Sequence, residues 1–136
     1  MFYVEETGTC YLEDVAIPCN PGRAKIPVTK FHGYKDGTIA YGGGSRKGAC
    51  LPTIPHWTQK WALRDGLSAT NVTTNLTSDT LVYTFGTGKE TGLVIQVTDF
   101  NIAHDWESTV PVWDPQLASF NAMSIIMGFF KKNSLR

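Results

Sequence analysis

The chain is 136 residues long, 42% hydrophobic, 12% aromatic and 18% charged, with twelve basic and twelve acidic residues. Such a chain is long and apolar enough to bury one core, which excludes a disordered polymer. Zero net charge excludes a general nucleic-acid coat or a polybasic membrane binder, and no apolar run reaches the ~18–20 residues of a membrane helix.

The first residues, Met1-Phe2-Tyr3-Val4-Glu5-Glu6, lack the basic and apolar regions of a secretory signal. The expectation is cytoplasmic synthesis in a reducing compartment, or a mature fragment carrying an added Met. Cys10, Cys19 and Cys50 make a poor disulfide framework. They read as three ordinary thiols, with a Cys10–Cys19 bridge that leaves Cys50 free as the alternative. Thr9 to Ile17 has a weak strand pattern. Ala24 to His32 is a better strand, and Pro27, which cannot donate to a ladder, places it at an edge or a bulge. Lys35-Asp36-Gly37-Thr38 turns the chain into Ile39-Ala40-Tyr41. Gly42 to Gly48 reads as a flexible, basic, glycine-rich loop.

Pro55 to Arg64 fits two patterns. Trp57, Gln59, Trp61 and Leu63 alternate as in a strand, while Trp57 and Trp61 share a helix face. The Asp65-Gly66 pair that follows favours a hairpin turn, hence a strand. Ser68 to Thr80 is rich in Ser and Thr. It contains Asn71-Val72-Thr73 and Asn75-Leu76-Thr77, both of the glycosylation pattern, read here as polar strand or loop residues. Thr80 to Phe85 and Leu93 to Phe100, joined by the glycine-bounded turn Gly86–Gly92, form the clearest hairpin. Leu81, Tyr83, Phe85, Leu93, Ile95 and Val97 are its expected core side, joined by Ile26 and Val28. At the C-terminus, Asp114 as a cap and Pro115 at the first position predict a helix over residues 115–130, with Lys131 and Lys132 suiting its end. A long closing strand, Phe120 to Phe130, is the alternative. The predicted fold is mainly β: a single domain over residues 1–136, an antiparallel sandwich or barrel with this one helix.

No segment carries a catalytic signature, and no metal or cofactor is expected. A Walker loop requires Lys and then Ser or Thr after its last glycine, but Gly48 is followed by Ala49 and Cys50. The three histidines, His32, His56 and His104, lack the paired short spacings of a zinc site. Cys50 with His56 or His104 matches no nucleophile motif. Asp99 to Glu107 places three acids and His104 within nine residues. Such a stretch can bind a cation or serve as acid and base, but it reads first as a polar loop after a strand.

Charge is segregated: residues 15–64 hold eight basic side chains against Asp36, and residues 65–114 hold seven acids against Lys89. Opposite patches steer association. These features point to a non-enzymatic structural protein that self-assembles, of the kind found in virion coats, decorations or tails. Its partners would be copies of itself and other assembly proteins. The expected contact residues are Arg46, Lys47, Trp57, Trp61, Trp106 and Trp113. The alternative is a carbohydrate- or ligand-binding β-module that uses surface tryptophans as a stacking platform. A third reading is a small enzyme with the Asp99–Glu107 stretch in its site.

Overall fold

The computed structural model describes residues 10–13, 15–111 and 116–134. In chain order the elements are β1 (Val28–Gly33), β2 (Gly44–Arg46), β3 (Ala49–Leu51), α1 (Ile54–Arg64), β4 (Asn71–Thr77), β5 (Thr80–Phe85), β6 (Val94–Asp99) and α2 (Ala122–Asn133). A 3₁₀ turn, Gly88–Glu90, lies between β5 and β6. The main sheet has the order β1-β6-β5-β4, and β2 and β3 form a separate hairpin.

The β-rich expectation holds in this form, with a correction. The main sheet is mixed: β4, β5 and β6 run antiparallel, but β1 pairs parallel to β6, from Val28↔Val94 to Gly33↔Asp99. It does not close into a barrel, and no second large sheet packs on it among the described residues. Helices cover its two faces instead. On β6, Gln96 reaches α1 through Thr58 (2.8 Å), while Val97, one residue on, packs with Ala122, Ile125 and Ile126 of α2. Successive strand residues point to opposite faces, so α1 and α2 lie on opposite sides.

This arrangement revises the expected core side of the β5–β6 hairpin. The hairpin forms as read, in the register Thr80↔Asp99 to Phe85↔Val94. Tyr83 and Phe85 pair with Gln96 and Val94 and pack toward α1, but Ile95 and Val97 face α2. Phe85, Leu93 and Val97 are buried, and Ile26, Val28, Leu81, Tyr83 and Ile95 are half-buried. β1 is an edge strand, as Pro27 required, and begins just after that residue. No strand forms in the described part of Thr9–Ile17.

Pro55 to Arg64 is a helix, not a strand. Thr53 caps it by accepting the His56 N–H at 3.1 Å, and Pro55 sits in the first turn. Ile54, Thr58 and Ala62 make the buried stripe. The Asp65-Gly66 pair ends this helix and does not turn a hairpin. Gly66 takes φ +74°, its N–H reaches the Leu63 carbonyl, and the Leu67 N–H reaches that of Ala62. This is a Schellman stop, which uses the same left-handed residue that a hairpin turn would. Leu67 packs in one cluster with Ala62, Phe85, Leu93 and Val94.

The C-terminal helix exists but starts later than residue 115. Asn121 is its cap, accepting the Met123 N–H at 3.0 Å, and Lys131 and Lys132 occupy the last turn. Asp114 and Pro115 lie outside the described residues. The closing-strand alternative is excluded, since most of Phe120–Phe130 is helical.

Residues 42–48, expected as a flexible loop, include β2 and the β2–β3 turn at Lys47 and Gly48. This hairpin carries Cys50, which is bridged to Cys10 across a Cα–Cα distance of 5.5 Å. Both readings of the cysteines are therefore corrected, and Cys19 is the exposed free thiol. A pairing set by tertiary folding has no local signal in spacing. The bridge closes a separation of 40 residues. Cys50→Ser is expected to cost about 2–4 kcal/mol, read as a lower urea midpoint than the oxidised parent, with a steeper slope because the unbridged denatured state exposes more surface.

Candidate functional site

A cleft of about 530 Å³ opens beyond the carboxyl ends of β1 and β6, lined by Lys30, His32, Asp36, His104, Trp106 and Glu107 among others. Ligand crevices commonly lie at this end of parallel strands. Two loops build it, and hydrogen bonds that continue the β1–β6 ladder hold them together. The Tyr34 N–H donates to the Asp99 carbonyl and the Lys35 N–H to that of Ile102, at 2.8 and 3.0 Å. Ile102 is fully buried and pins the second loop in the core. That loop crosses Gly33 so closely that a Cβ there would lie 2.3 Å from the carbonyl oxygens of Ile102 and Ala103. Only glycine allows the approach.

Asp36 is the pivot. Its side chain is buried, and one oxygen accepts the N–H groups of Thr38 and Ile39 at 2.7 and 2.8 Å. The other lies 2.8 Å from His104 Nδ1. Burial pushes the Asp36 carboxyl up. The hydrogen bonds from His104, Ile39 and Thr38 outweigh that and hold it below its ordinary value. Asp36 is then an ionised acceptor, so Nδ1 of His104 donates to it and Nε2 is the ring nitrogen that this contact leaves free. The His104 side chain is 60% exposed.

His32 plays a different part. Its Nε2 lies 2.8 Å from the Ile39 carbonyl, which can only accept, so Nε2 donates. Burial, then the charge of Lys30, lowers its pKa and keeps the ring neutral beside Asp36, 3.7 Å away. Lys30 is also lowered, chiefly by burial, with Glu107 and Asp36 opposing.

Glu107 is 4% exposed. Its carbonyl accepts the Ala122 N–H at 3.0 Å and that of Ser108 accepts from Ala118, tying the cleft wall to the start of α2. Burial raises the Glu107 carboxyl, Asp99 adds to the rise, and Lys30 opposes it. The native state therefore favours protonated Glu107. That stabilisation is full below the ordinary value of 4.5 and is lost as pH rises through the raised folded value. Glu107→Gln is accordingly expected to raise Tm at pH 7 and to leave it unchanged at pH 4. Thermal melts at the two pH values check this.

The expected contact residues are not brought together. Trp106 is 41% exposed and lines the cleft. Trp57 and Trp61 stand on α1 with ring centroids 5.8 Å apart, under Lys30 and Arg64 respectively. Trp57 borders a cavity of about 210 Å³ that shares Lys30 and Ile39 with the cleft. Arg46 and Lys47 sit at the β2–β3 hairpin, and Trp113 lies outside the described residues. Of the Asp99–Glu107 stretch, His104, Asp105, Trp106 and Glu107 line the cleft. Asp99 does not, being fully buried against Thr80 and Ser119. Lys30, His32 and Asp36 were not singled out by sequence. The His104–Asp36 contact spans 68 positions, so no local motif marks it. Among the described residues, no group of three or more His, Cys, Asp or Glu side chains converges to hold a metal ion. No described helix is long and apolar enough to cross a membrane.

No family model, curated protein or solved structure matches this chain.

Proposed function

We propose that the cleft is a general acid–base site that hydrolyses a neutral, polyhydroxylated substrate. The carrying observation is the 2.8 Å Asp36–His104 pair at the cleft mouth, with the base nitrogen left open. Water is the proposed nucleophile, since the lining holds no Ser, Thr or Cys to compete with it. His104 Nε2 takes its proton, and the buried Asp36 carboxylate stabilises the resulting imidazolium. Glu107, whose carboxyl pKa burial raises, is the proposed acid that donates to the leaving oxygen. With Glu107 protonated, Asp36 and Asp105 against Lys30 still leave the lining negative, which disfavours anionic substrates. Exposed Trp106 offers a face for a sugar ring.

A panel of chromogenic glycosides and neutral esters, tested with parent and His104→Ala, decides the matter. Glycoside turnover lost in the variant supports the reading. Equal rates in both, or turnover of esters alone, overturns it.

The self-assembling structural reading keeps one specific observation in its favour. On α2, Met123, Met127 and Phe130 are each more than half exposed, at i, i+4 and i+7. Ala122, Ile125, Ile126 and Phe129 already cover the opposite face. A helix apolar on both sides is normally covered on both sides. A second copy would bury this stripe about a two-fold axis. Light scattering coupled to size exclusion tests it: a monomer across high concentration and varied salt removes the reading.

A further inference from the structure

We propose that Asn71 and Asn75 are N-glycosylation sites, and that the glycans cover the open edge of the main sheet. Two independent observations meet here. Both acceptor motifs, Asn71-Val72-Thr73 and Asn75-Leu76-Thr77, fall on β4, whose residues are exposed from Asn71 through Leu76. A bridge such as Cys10–Cys50 forms and persists in oxidising compartments, where in eukaryotes such glycans are also attached.

The folded strand leaves room for both sugars. The Asn71 side chain uses its oxygen to accept the Thr73 hydroxyl at 2.9 Å, not the nitrogen that would carry the glycan. Asn71, Thr73 and Asn75 pair with Phe85, Tyr83 and Leu81, so both asparagines share one face of the sheet. They stand about 13 Å apart at the usual strand rise. The register shift after Asn75 turns Thr77 toward Ser119, 2.6 Å away, and Asn75 itself stays exposed.

The edge also needs a cover. β4 ends the sheet, carries no charge and no proline, and exposes Val72 at 65% and Leu76 at 42%. Natural edges of this length are usually blunted by charge, proline, a bulge or an overlying segment, and the one irregularity of β4 comes only after Asn75, leaving Asn71 to Asn75 in regular register. A glycan on each asparagine would supply the missing steric block.

The donor is an oligosaccharide linked to a lipid pyrophosphate. The asparagine amide nitrogen forms a bond to the anomeric carbon and loses one proton. The bond from that carbon to the pyrophosphate oxygen breaks, and the lipid pyrophosphate leaves with its electron pair.

The test is secretion of the full chain from insect cells behind a cleavable leader. The expected result is Cys10–Cys50-bridged protein that loses two mobility steps on treatment with an amide-cleaving endoglycosidase. N71Q and N75Q should each remove one step. Where N71Q is poorly secreted, T73S should keep the first step and T73A should lose it. Bridged, secreted protein without glycan overturns the proposal, and so does glycan confined to unbridged chains. A single step at Asn71 overturns it for Asn75.

Discussion

Asp36→Asn is expected, on the proposed acid–base reading, to lower kcat by about 10³–10⁴-fold and to leave the fold intact, because the two carboxylate oxygens have separate tasks. The oxygen that accepts the Thr38 and Ile39 N–H groups shapes the loop, and asparagine keeps an oxygen there. The oxygen facing His104 Nδ1 becomes an NH₂ group, which can donate but not accept. His104 must then present a bare Nδ1 to it and carry its proton on Nε2, so the outward base is lost. His104→Ala removes the base outright and costs about 10²–10⁴-fold. Thermal unfolding at pH 7 should move by less than about 1 kcal/mol in Asp36→Asn. The difference from the parent should shrink in acid. The depressed Asp36 carboxyl stabilises the native state above its ordinary value of 3.8, and that contribution is lost as pH falls through the lower folded value. Asparagine cannot titrate, so this part of the acid limb flattens. Activity equal to the parent in Asp36→Asn, with the glycosides that the parent cleaves, would remove the pair from the mechanism.

Elements with a local cause were legible in the sequence. The β5–β6 hairpin declared itself by β-branched and aromatic runs around a glycine-bounded turn. The edge position of β1 followed from Pro27, and the end of a C-terminal helix from Lys131 and Lys132, though its cap is Asn121. What misled were signals shared by two structures. Asp65-Gly66 serves a hairpin turn and a helix stop equally, because both require a residue at positive φ. Trp57 and Trp61 fit either period, and the Thr53 cap decided for the helix. The core side of the hairpin was misassigned because helices bury both faces of β6. Gln96 and Thr98 look solvent-facing by composition, yet both are buried and hydrogen-bonded to each other at 3.1 Å. The site was half legible. His104 and Glu107 stood out as an acid-rich stretch, but their meaning depends on Asp36, which by itself is one more Asp-Gly turn.

Asp99→Ala should be the most destabilising polar substitution among the described residues, at about 3–5 kcal/mol. Asp99 is fully buried at the end of β6 and accepts four hydrogen bonds. One oxygen takes the Asn101 N–H at 2.8 Å; the other takes the Thr80 hydroxyl, the Ser119 N–H and the Ser119 hydroxyl, each at 3.0 Å. These bonds join the start of β5, the approach to α2 and the turn leading to His104, alongside the Thr80–Ser119 hydroxyl contact at 2.7 Å and the Phe100 N–H to the Asp79 carbonyl at 2.9 Å. Alanine removes the acceptor of the Ser119 N–H and leaves the Thr80 and Ser119 hydroxyls, 2.7 Å apart, only each other and Thr77 as partners. Asp99→Asn is the informative companion. It keeps the Asn101 contact but sets an NH₂ against the Ser119 N–H, so it should cost less than alanine and still more than a surface change. The effect reaches the site. Asn101 precedes Ile102, whose carbonyl accepts from Lys35, and the Ile102–Ala103 backbone lies against Gly33. Loosening that turn shifts His104 relative to Asp36. At a temperature where the variant is fully folded, kcat should fall together with protection of the Lys35 amide from hydrogen exchange. A variant that loses stability but keeps both would show that Asp99 supports the fold without positioning the site.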